Sequence, residues 1–469
     1  MNRTRFRLYP QPDFPEPEVV TVSGVPGSIG PGPQDRRLAA ILPLAKDAPY
    51  EPPLYMPPYE GAVLPPAMPD RAGHFDHIPT SAPQFLPAHL FGCVRRTLDV
   101  WEGYLGREVA WWFAPAYPRL ELVALVEWEN AHSGPGFIET GARTNRLGER
   151  RLFCLNFDVV AHETGHAILF SEVGVPEEGR IPEQFLAFHE SFSDLVALVA
   201  GLHFPSVVER LLAQTGGNLY VLNLVSRIGE LSEIEEIRIA DNTVTMRDVA
   251  GLRLGEDGEW IDPLGQDRNA HALAQPLTGA LFDLMLELFQ DGLVARGAIP
   301  GALDPRGWSR SEVEAALSSV QLASEQALAR FRPAFYAALA EARDVLGLCM
   351  AHAMRTVRPD GLTFATVAAA VIEAALAHGT SNQAWELVEI FLLRGIDPRP
   401  ALAARRPASP GEWRRLPYAE RARRVRAAER ARHGAAGLRE ACRCGPGMFF
   451  RARSLIRHPH RGRRADAPS

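Results

Sequence analysis

The clearest pattern along the chain is a helical one, in which apolar residues recur at spacings of three and four. It first appears at 84–105, where Leu86, Leu90, Val94 and Leu98 would share one face. The same spacing predicts further helices at 158–170, 182–202, 206–213, 271–293, 311–317, 323–354, 364–377 and 382–393. Because a proline inside a helix removes a backbone hydrogen bond, we expect the helix at 323–354 to be kinked or broken near Pro333.

Stretches rich in β-branched and aromatic residues are short and lie mainly in the first third of the chain. They predict strands at 109–113, 120–128 and 152–155 and, in an otherwise irregular interval, at 237–239 and 243–246. The glycine-rich segment at 133–136 predicts a turn. A few strands followed by many helices indicate an α+β fold, with a small mixed β-sheet before a mainly helical second part.

The beginning of the chain differs in composition from the rest, because residues 1–90 hold 19 of the 39 prolines. Proline fixes φ and cannot donate a backbone hydrogen bond, so we expect neither a regular helix nor a central strand there. Residues 1–83 are therefore predicted to form a Pro-rich extended arm. Several apolar side chains favour an arm that lies along the body over a flexible leader; these are Leu54, Tyr55, Met56, Tyr59 and Phe75.

The end of the chain carries an excess of positive charge. From residue 401 onward there are 18 arginines against 5 acidic residues, whereas residues 1–400 have a net charge of −19. This Arg-rich basic tail (399–469) indicates an interaction arm or a self-docking segment, and a solvated, poorly ordered end is favoured over a nucleic-acid-binding one. The chain has a single lysine, Lys46, which we attribute to coding composition.

The first residues lack the apolar core of a secretory signal, and no uncharged apolar run is long enough to span a membrane. A cytoplasmic protein is therefore expected. The odd number of cysteines, without regular spacing, predicts neither a disulfide framework nor a separate metal site; the five are Cys93, Cys154, Cys349, Cys442 and Cys444.

Residues 162–166 spell His-Glu-Thr-Gly-His, an HExxH motif on a predicted helix. His162 and His166 are one turn apart on the same face, so both imidazoles can reach one cation. Glu163 lies beside the first histidine, where its carboxylate can take a proton from a water held by that cation. The rest of the helix is apolar, so a metal would compensate the burial of three polar groups. Two hydrogen-bonded core histidines are the alternative.

A second pair of polar residues lies on the next predicted helix. Glu190 and Asp194 are again one turn apart, so Glu190 can supply the third protein ligand of a catalytic zinc while Asp194 orients a bound imidazole. A solvated acidic stripe is the alternative, but the neighbouring Phe188 and Phe192 argue against an exposed face. His189 would point about 100° away from Glu190 and is not counted as a ligand.

HETGH followed by E-x-x-x-D on the next helix resembles the thermolysin-like gluzincin metallopeptidases. The resemblance implies that His162, His166 and Glu190 bind zinc. It also implies that Asp194 orients a ligand histidine and that Glu163 is the general base.

For the fold, the resemblance implies a thermolysin-like metallopeptidase of two subdomains, with the zinc in the cleft between them. An N-terminal catalytic subdomain at 84–203 would contain the small mixed sheet and the HExxH helix. A mainly helical C-terminal subdomain would follow at 204–398, before the basic tail.

Weaker matches to the same family imply further site residues. The segment ending in Asn130 and Ala131 resembles the family's edge strand, which binds the substrate backbone. The segment around His271 resembles the one carrying a second catalytic histidine, which implies that His271 stabilises the oxyanion and that Asp267 orients it. A simple helix-start histidine is the alternative. Arg253 matches, more weakly still, the arginine that contacts the substrate carbonyl.

The chain departs from the family in several respects. The spacing between His166 and Glu190 is longer than usual, which predicts an enlarged loop at 173–181. No clear equivalent of the family's active-site tyrosine is found, so stabilisation of the oxyanion would depend more on His271. Neither the large inhibitory pro-domain nor the signal peptide of secreted members is recognisable.

The resemblance implies a zinc-dependent endopeptidase that acts on a peptide or protein substrate through a zinc-activated water. A catalytically silent, zinc-stabilised scaffold that binds partners through its arm and tail is the main alternative, and a hydrolase of non-peptide amides is another. An aminopeptidase would need a group that captures the substrate amine, for which Glu127 and Glu129 are candidates. The arm is also a candidate autoinhibitor that would occupy the cleft.

Overall fold

The computed structural model describes residues 3–11, 13–177, 181–221, 223–232, 235–256, 258–266, 268–301, 310–378, 384–404 and 416–433. Within these ranges the chain forms small β-sheets and ten α-helices. This confirms the mixed α/β structure expected from the sequence, whereas the division into two subdomains stays a prediction.

The strands are short and most of them form two-stranded pairs. They are β1 (Thr4–Leu8), β2 (Glu18–Val22), β3 (Leu38–Ile41), β4 (Leu120–Val123), β5 (Ala131–Gly134), β6 (Phe137–Thr140), β7 (Ala142–Thr144), β8 (Arg150–Leu152), β9 (Arg227–Ser232), β10 (Glu235–Ile239), β11 (Arg253–Leu254) and β12 (Trp260–Ile261). The largest sheet has four strands in the order β3-β4-β6-β5. The first three run parallel, and β5 pairs antiparallel with β6 at one edge.

The helices form most of the remaining structure. They are α1 (Phe85–Leu105), α2 (Phe157–Glu172), α3 (Glu183–Gly201), α4 (Pro205–Thr215), α5 (Ala270–Ala295), α6 (Arg310–Thr356), α7 (Phe364–Ala377), α8 (Ala384–Leu393), α9 (Arg399–Ala404) and α10 (Tyr418–His433). The main core lies where α2, α3, α5 and α6 pack on one another, with α1 between them and the N-terminal strands.

Most helices lie where their apolar spacing predicts them. The two segments predicted at 311–317 and 323–354 belong to one long helix, α6. Its backbone leaves helical geometry at Phe331 (φ −122°, ψ 32°), two residues before Pro333, which confirms the predicted kink. Thr363 caps α7 by accepting a hydrogen bond from the backbone N–H of Thr366, which explains why the helix starts at the next residue.

Several strand predictions are wrong or too long. Residues 109–111 have no regular secondary structure and 112–113 lie in a turn. Trp111 and Phe113 stack in the core at 5.4 Å, so the apolar character of this segment reflects burial rather than sheet pairing. The strand predicted at 120–128 ends at Val123, and a 3₁₀ turn at Phe153–Leu155 replaces most of the one predicted at 152–155. Residues 243–246 form no strand, whereas 237–239 lies within β10 as predicted.

The Pro-rich arm is more closely integrated than an extended arm. Its first two strands form a hairpin, and β3 joins the four-stranded sheet beside β4. Phe6 stacks on Phe75 at 4.9 Å and on Phe91 of α1 at 5.6 Å. Phe75 is thus an anchor as expected, but Leu54 is 85% exposed and anchors nothing.

Part of the basic tail is helical and packed, which contradicts the expected poorly ordered end for residues 418–433. Helix α10 contacts α3, with Val425 buried and Tyr418 stacked on Trp112 at 6.3 Å. The guanidinium of Arg424, on this helix, lies 3.9 Å from the carboxylate of Glu177. The tail beyond 433 lies outside the described residues.

One described helix, α5, is long and apolar enough to cross a membrane by length and composition; α3 and α4 would meet the same test only as a single span bent by 95°. Of the most apolar 18-residue window of α5, 72% is buried inside the fold. Its packing against α3 and α6 is that of a core helix.

Candidate metal centre

The two motif-bearing helices pack closely on each other in the core. Helix α2 starts after Asn156, whose side chain accepts a hydrogen bond from the N–H of Val159 and so caps the helix. Gly165 allows the close approach to α3, because a Cβ atom there would lie 2.9 Å from the Cα of Ser193. The glycine of HETGH therefore determines how near the two helices come.

His162, His166 and Glu190 converge on one point. The two Nε2 atoms of the histidines are 3.0 Å apart, and they lie 3.5 Å and 3.7 Å from Oε2 of Glu190. All three residues are buried, with 5%, 1% and 1% of their surface exposed. They are a group of donor atoms that could hold one metal ion.

Hydrogen bonds on the far side of each ring orient the two histidines. Nδ1 of His162 lies 2.8 Å from Oδ1 of Asp194, and Nδ1 of His166 lies 3.0 Å from the hydroxyl of Ser193. An ionised carboxylate can only accept, so Asp194 keeps the proton of His162 on Nδ1 and leaves the Nε2 lone pair directed at the cluster. This is how a carboxylate prepares an imidazole for a metal.

Glu163 lies on α2 between the two histidines, and only 7% of its surface is exposed. Its Oε2 atom is buried and has no hydrogen-bond partner among the residues that the structure describes. Such a buried acceptor requires a partner that the described residues do not provide. A water or a substrate group at the cluster is a partner of the required kind.

His271, at the start of α5, joins the same cluster. Its Nδ1 lies 2.9 Å from Oε2 of Glu190, the oxygen that also faces the two α2 histidines. The side chain of Asn269 caps α5 by accepting a hydrogen bond from the N–H of His271, which fixes the position of its backbone. Asp267, predicted to orient His271, lies outside the described residues.

Of the predicted substrate-binding residues, two lie at an edge strand of the main sheet and the third lies on a separate two-stranded sheet. Ala131 begins β5, the edge strand of the four-stranded sheet, and Asn130 directly precedes it. Arg253 is exposed on β11, and the described contacts do not connect it to His162, His166 or Glu190. Glu127 is exposed and paired with Arg150 at 3.1 Å.

His189 does not join the metal-binding group, as its position next to Glu190 predicts. Its ring lies among aromatic rings, 4.4 Å from that of Phe170 and 4.8 Å from that of Phe185. It also stacks on His166 at 5.8 Å. The ring therefore packs behind that of His166 rather than beside the three converging donor atoms.

A second buried cluster, which we call the lysine cluster, was not predicted from the sequence; it consists of Lys46, Glu139 and His132. Nζ of Lys46 lies 2.9 Å from Oε2 of Glu139, and Nε2 of His132 lies 2.5 Å from Oε1. Burial alone would raise the pKa of Glu139, but the hydrogen bond and charge of His132, together with the charge of Lys46, lower it below its ordinary value.

Comparisons with known proteins add little to this geometry. No protein-family model matches the chain, and no curated protein matches it. Among solved structures the fold is similar to that of the precursor of protealysin, a metalloproteinase from Serratia proteamaculans. The two are 14% identical with a TM-score of 0.44, and the match covers 80% of this chain and 90% of the other. A likeness this slight does not establish a shared activity, so function has to be inferred from the cluster itself.

Proposed function

We propose that this protein is a zinc-dependent metallopeptidase in which His162, His166 and Glu190 hold the metal. The observation that carries the proposal is the convergence of their three donor atoms next to the buried carboxylate of Glu163. Two imidazoles and one carboxylate are a donor set of catalytic zinc sites, which keep a fourth position open.

The spacing of the donor atoms suits zinc. Bonds of about 2.0–2.1 Å in tetrahedral geometry require ligand atoms about 3.3–3.4 Å apart. The separations of 3.0, 3.5 and 3.7 Å bracket that value. Zinc would supply Lewis acidity, polarising a peptide carbonyl and lowering the pKa of water at the open position to about 7.

The side chains around the cluster then have distinct tasks. Glu163 accepts a proton from the attacking water and passes it to the leaving amine, which is general acid–base catalysis. Asp194 keeps His162 in the tautomer whose Nε2 faces the metal. His271, held against Glu190 through Nδ1, is the residue we assign to the oxyanion of the tetrahedral intermediate.

An extended peptide has a matching edge at β5. Gly141 donates a backbone hydrogen bond to the carbonyl of Asn130, so in the antiparallel ladder with β6 the residues bonded to β6 are Asn130, His132 and Gly134. The backbone groups of Ala131 and Ser133 are then directed to the open edge, where a peptide could add as a further strand. Both residues are largely buried, so this proposal requires covering segments to open when a peptide binds.

The first experiment measures cleavage of a mixed peptide library by the zinc-loaded protein and by Glu163→Gln. We expect the variant to bind zinc normally but to lose about 10²- to 10⁴-fold in turnover, because the neutral amide cannot accept a proton. Glu341→Gln is the control, since Glu341 is exposed and paired with Arg296, which follows the end of α5 opposite to His271. Wild-type turnover in Glu163→Gln would remove Glu163 from its role.

The burial of the cluster favours a second candidate function. At most 7% of the surface of His162, Glu163, His166 and Glu190 is exposed, and His271 contacts Glu190. A metal held there could instead serve a catalytically silent scaffold. The same experiment separates the two functions. Zinc binding by both proteins, with no cleavage by either at any substrate length, would support the scaffold.

A further inference from the structure

The α2–α3 contact contains a polar interaction that neither motif includes. The Ser193 hydroxyl lies 3.0 Å from Nδ1 of His166, and 0% of Ser193 and 1% of His166 are exposed. We propose that Ser193 is the positioning residue of the second metal ligand, as Asp194 is of the first. This inference rests on the proposed metal site and extends it to a residue whose type neither HExxH nor ExxxD specifies.

The chemistry of the imidazole determines what Ser193 has to do. His166 can bind a cation through Nε2 only if that nitrogen carries a lone pair, so the ring proton must be on Nδ1. A hydroxyl at 3.0 Å accepts that proton's hydrogen bond and keeps it in place. Without the hydroxyl, Nδ1–H would lose this buried partner, and the ring could turn or adopt the other tautomer.

The position of Ser193 depends on the glycine of the HExxH motif. A Cβ atom at Gly165 would lie 2.9 Å from the Cα of Ser193 and 3.1 Å from its hydroxyl oxygen. Helix α3 could not keep its distance from α2 if any larger residue stood at that position. Gly165 and Ser193 therefore act together: the glycine allows α3 to approach α2, and the serine hydroxyl then reaches the ring of His166.

The two ligand histidines thus have unequal supports. His162 is oriented by a carboxylate at 2.8 Å, which is anionic and only accepts, whereas His166 is oriented by a neutral hydroxyl, which can also donate. Charge-assisted hydrogen bonds are roughly twice as strong as neutral ones. His166 is accordingly the ligand that depends more on the packing of the two helices.

The test compares Ser193→Ala with Ser191→Ala. Both serines are fully buried on α3, but the hydroxyl of Ser191 has no hydrogen-bond partner among the described residues, so its removal deletes no polar contact with a ligand. For each full-length protein, the dissociation constant for Zn²⁺ is measured by competition with a chromophoric chelator. The visible spectrum of the Co²⁺-loaded protein reports ligand geometry.

We expect Ser193→Ala to bind Zn²⁺ about 10- to 100-fold more weakly than wild type, with an altered Co²⁺ spectrum. Ser191→Ala should match wild type in both measurements. Gly165→Ala, which keeps the hydroxyl but crowds it, should also weaken metal binding even though alanine favours the helix.

Equal affinities and spectra for Ser193→Ala and Ser191→Ala would overturn the role of Ser193, and so would an unchanged affinity in Gly165→Ala. Should Ser193→Ala not fold without metal, the Gly165→Ala result decides. These readouts need no turnover, so a protein that binds Zn²⁺ as expected but cleaves no peptide would refute the peptidase function and leave the role of Ser193 intact. A wild-type protein that binds no Zn²⁺ would refute both.

Discussion

Two buried clusters in this protein each contain a glutamate carboxylate and at least one histidine imidazole. They differ in the group that supplies positive charge to the buried carboxylate. The candidate metal centre joins Glu190 to the imidazoles of His162 and His166, and the lysine cluster joins Glu139 to His132 and Lys46. Each glutamate is almost completely buried. A carboxylate removed from water has to be compensated by a positive charge and hydrogen bonds.

The lysine cluster contains its own cation. The ammonium of Lys46 lies 2.9 Å from Glu139 and 3.9 Å from the ring centre of Tyr50, and it donates a hydrogen bond to the carbonyl of Ala48. Oε2 of Glu190 lies near the imidazoles of His162, His166 and His271, which are charged only when protonated. In the proposed function a bound zinc ion would supply positive charge at Glu190, whereas Lys46 supplies it at Glu139.

The comparison also gives the N-terminal arm a role. Lys46 belongs to the arm, and its carbonyl accepts a hydrogen bond from the N–H of Glu127, just before β5. Its ammonium reaches Glu139 on β6, whose other oxygen contacts His132 on β5. The arm is therefore attached, through a buried ion pair, to the strands next to the proposed peptide-binding edge.

The largest effect should come from removing the internal cation. Lys46→Met leaves the carboxylate of Glu139 without its ammonium, and breaking one side of a buried ion pair typically costs about 3–5 kcal/mol. Urea unfolding followed by tryptophan fluorescence measures the loss. The double variant Lys46→Met with Glu139→Gln should recover most of it, and equal losses in both would show that the pair is not what stabilises this region.

A smaller effect is expected on the affinity for Zn²⁺, which should depend on Asp194 but not on Glu139. Asp194→Asn weakens the acceptor for His162, so we expect the affinity for Zn²⁺ to fall about 10- to 100-fold. Glu139→Gln alters the lysine cluster alone and should leave that affinity unchanged while it lowers stability. Chelator competition on the folded proteins measures both. If Glu139→Gln weakened metal binding as much as Asp194→Asn, the clusters would not be independent.

The smallest effect is on acid stability. The lowered pKa of Glu139 means that its ionised form stabilises the fold fully above the ordinary glutamate pKa of 4.5, and that this contribution is lost as the pH falls through the lowered value. His132→Ala removes a cause of the lowering, so acid unfolding should begin at a higher pH than in wild type. Circular dichroism during acid titration measures this.

His77→Ala is the matched control for the acid titration, because His77 is exposed and lies in the same N-terminal region. Its unfolding curve should coincide with that of wild type. If the unfolding curve of His132→Ala also coincided with that of wild type, the contact between His132 and Glu139 would not contribute to the pKa of the Glu139 carboxyl.

Local spacing was sufficient to predict most of the helices and the residues of the candidate metal centre. Residues three or four apart on a helix necessarily share a face, so His162 with His166 and Glu190 with Asp194 could be paired before any tertiary contact was known. Strands were predicted less well, because a short apolar run such as 109–113 has the same composition whether it pairs in a sheet or fills the core.

Contacts between distant segments were decided by the tertiary structure alone. Lys46, attributed to coding composition, is the buried partner of Glu139, and the hydroxyl of Ser193 lies 3.0 Å from Nδ1 of His166. His271 could be suggested only by resemblance, and the folded chain brings it to Glu190. Periodicity specifies which face of an element is buried, but the partner on that face depends on how elements far apart in sequence pack together.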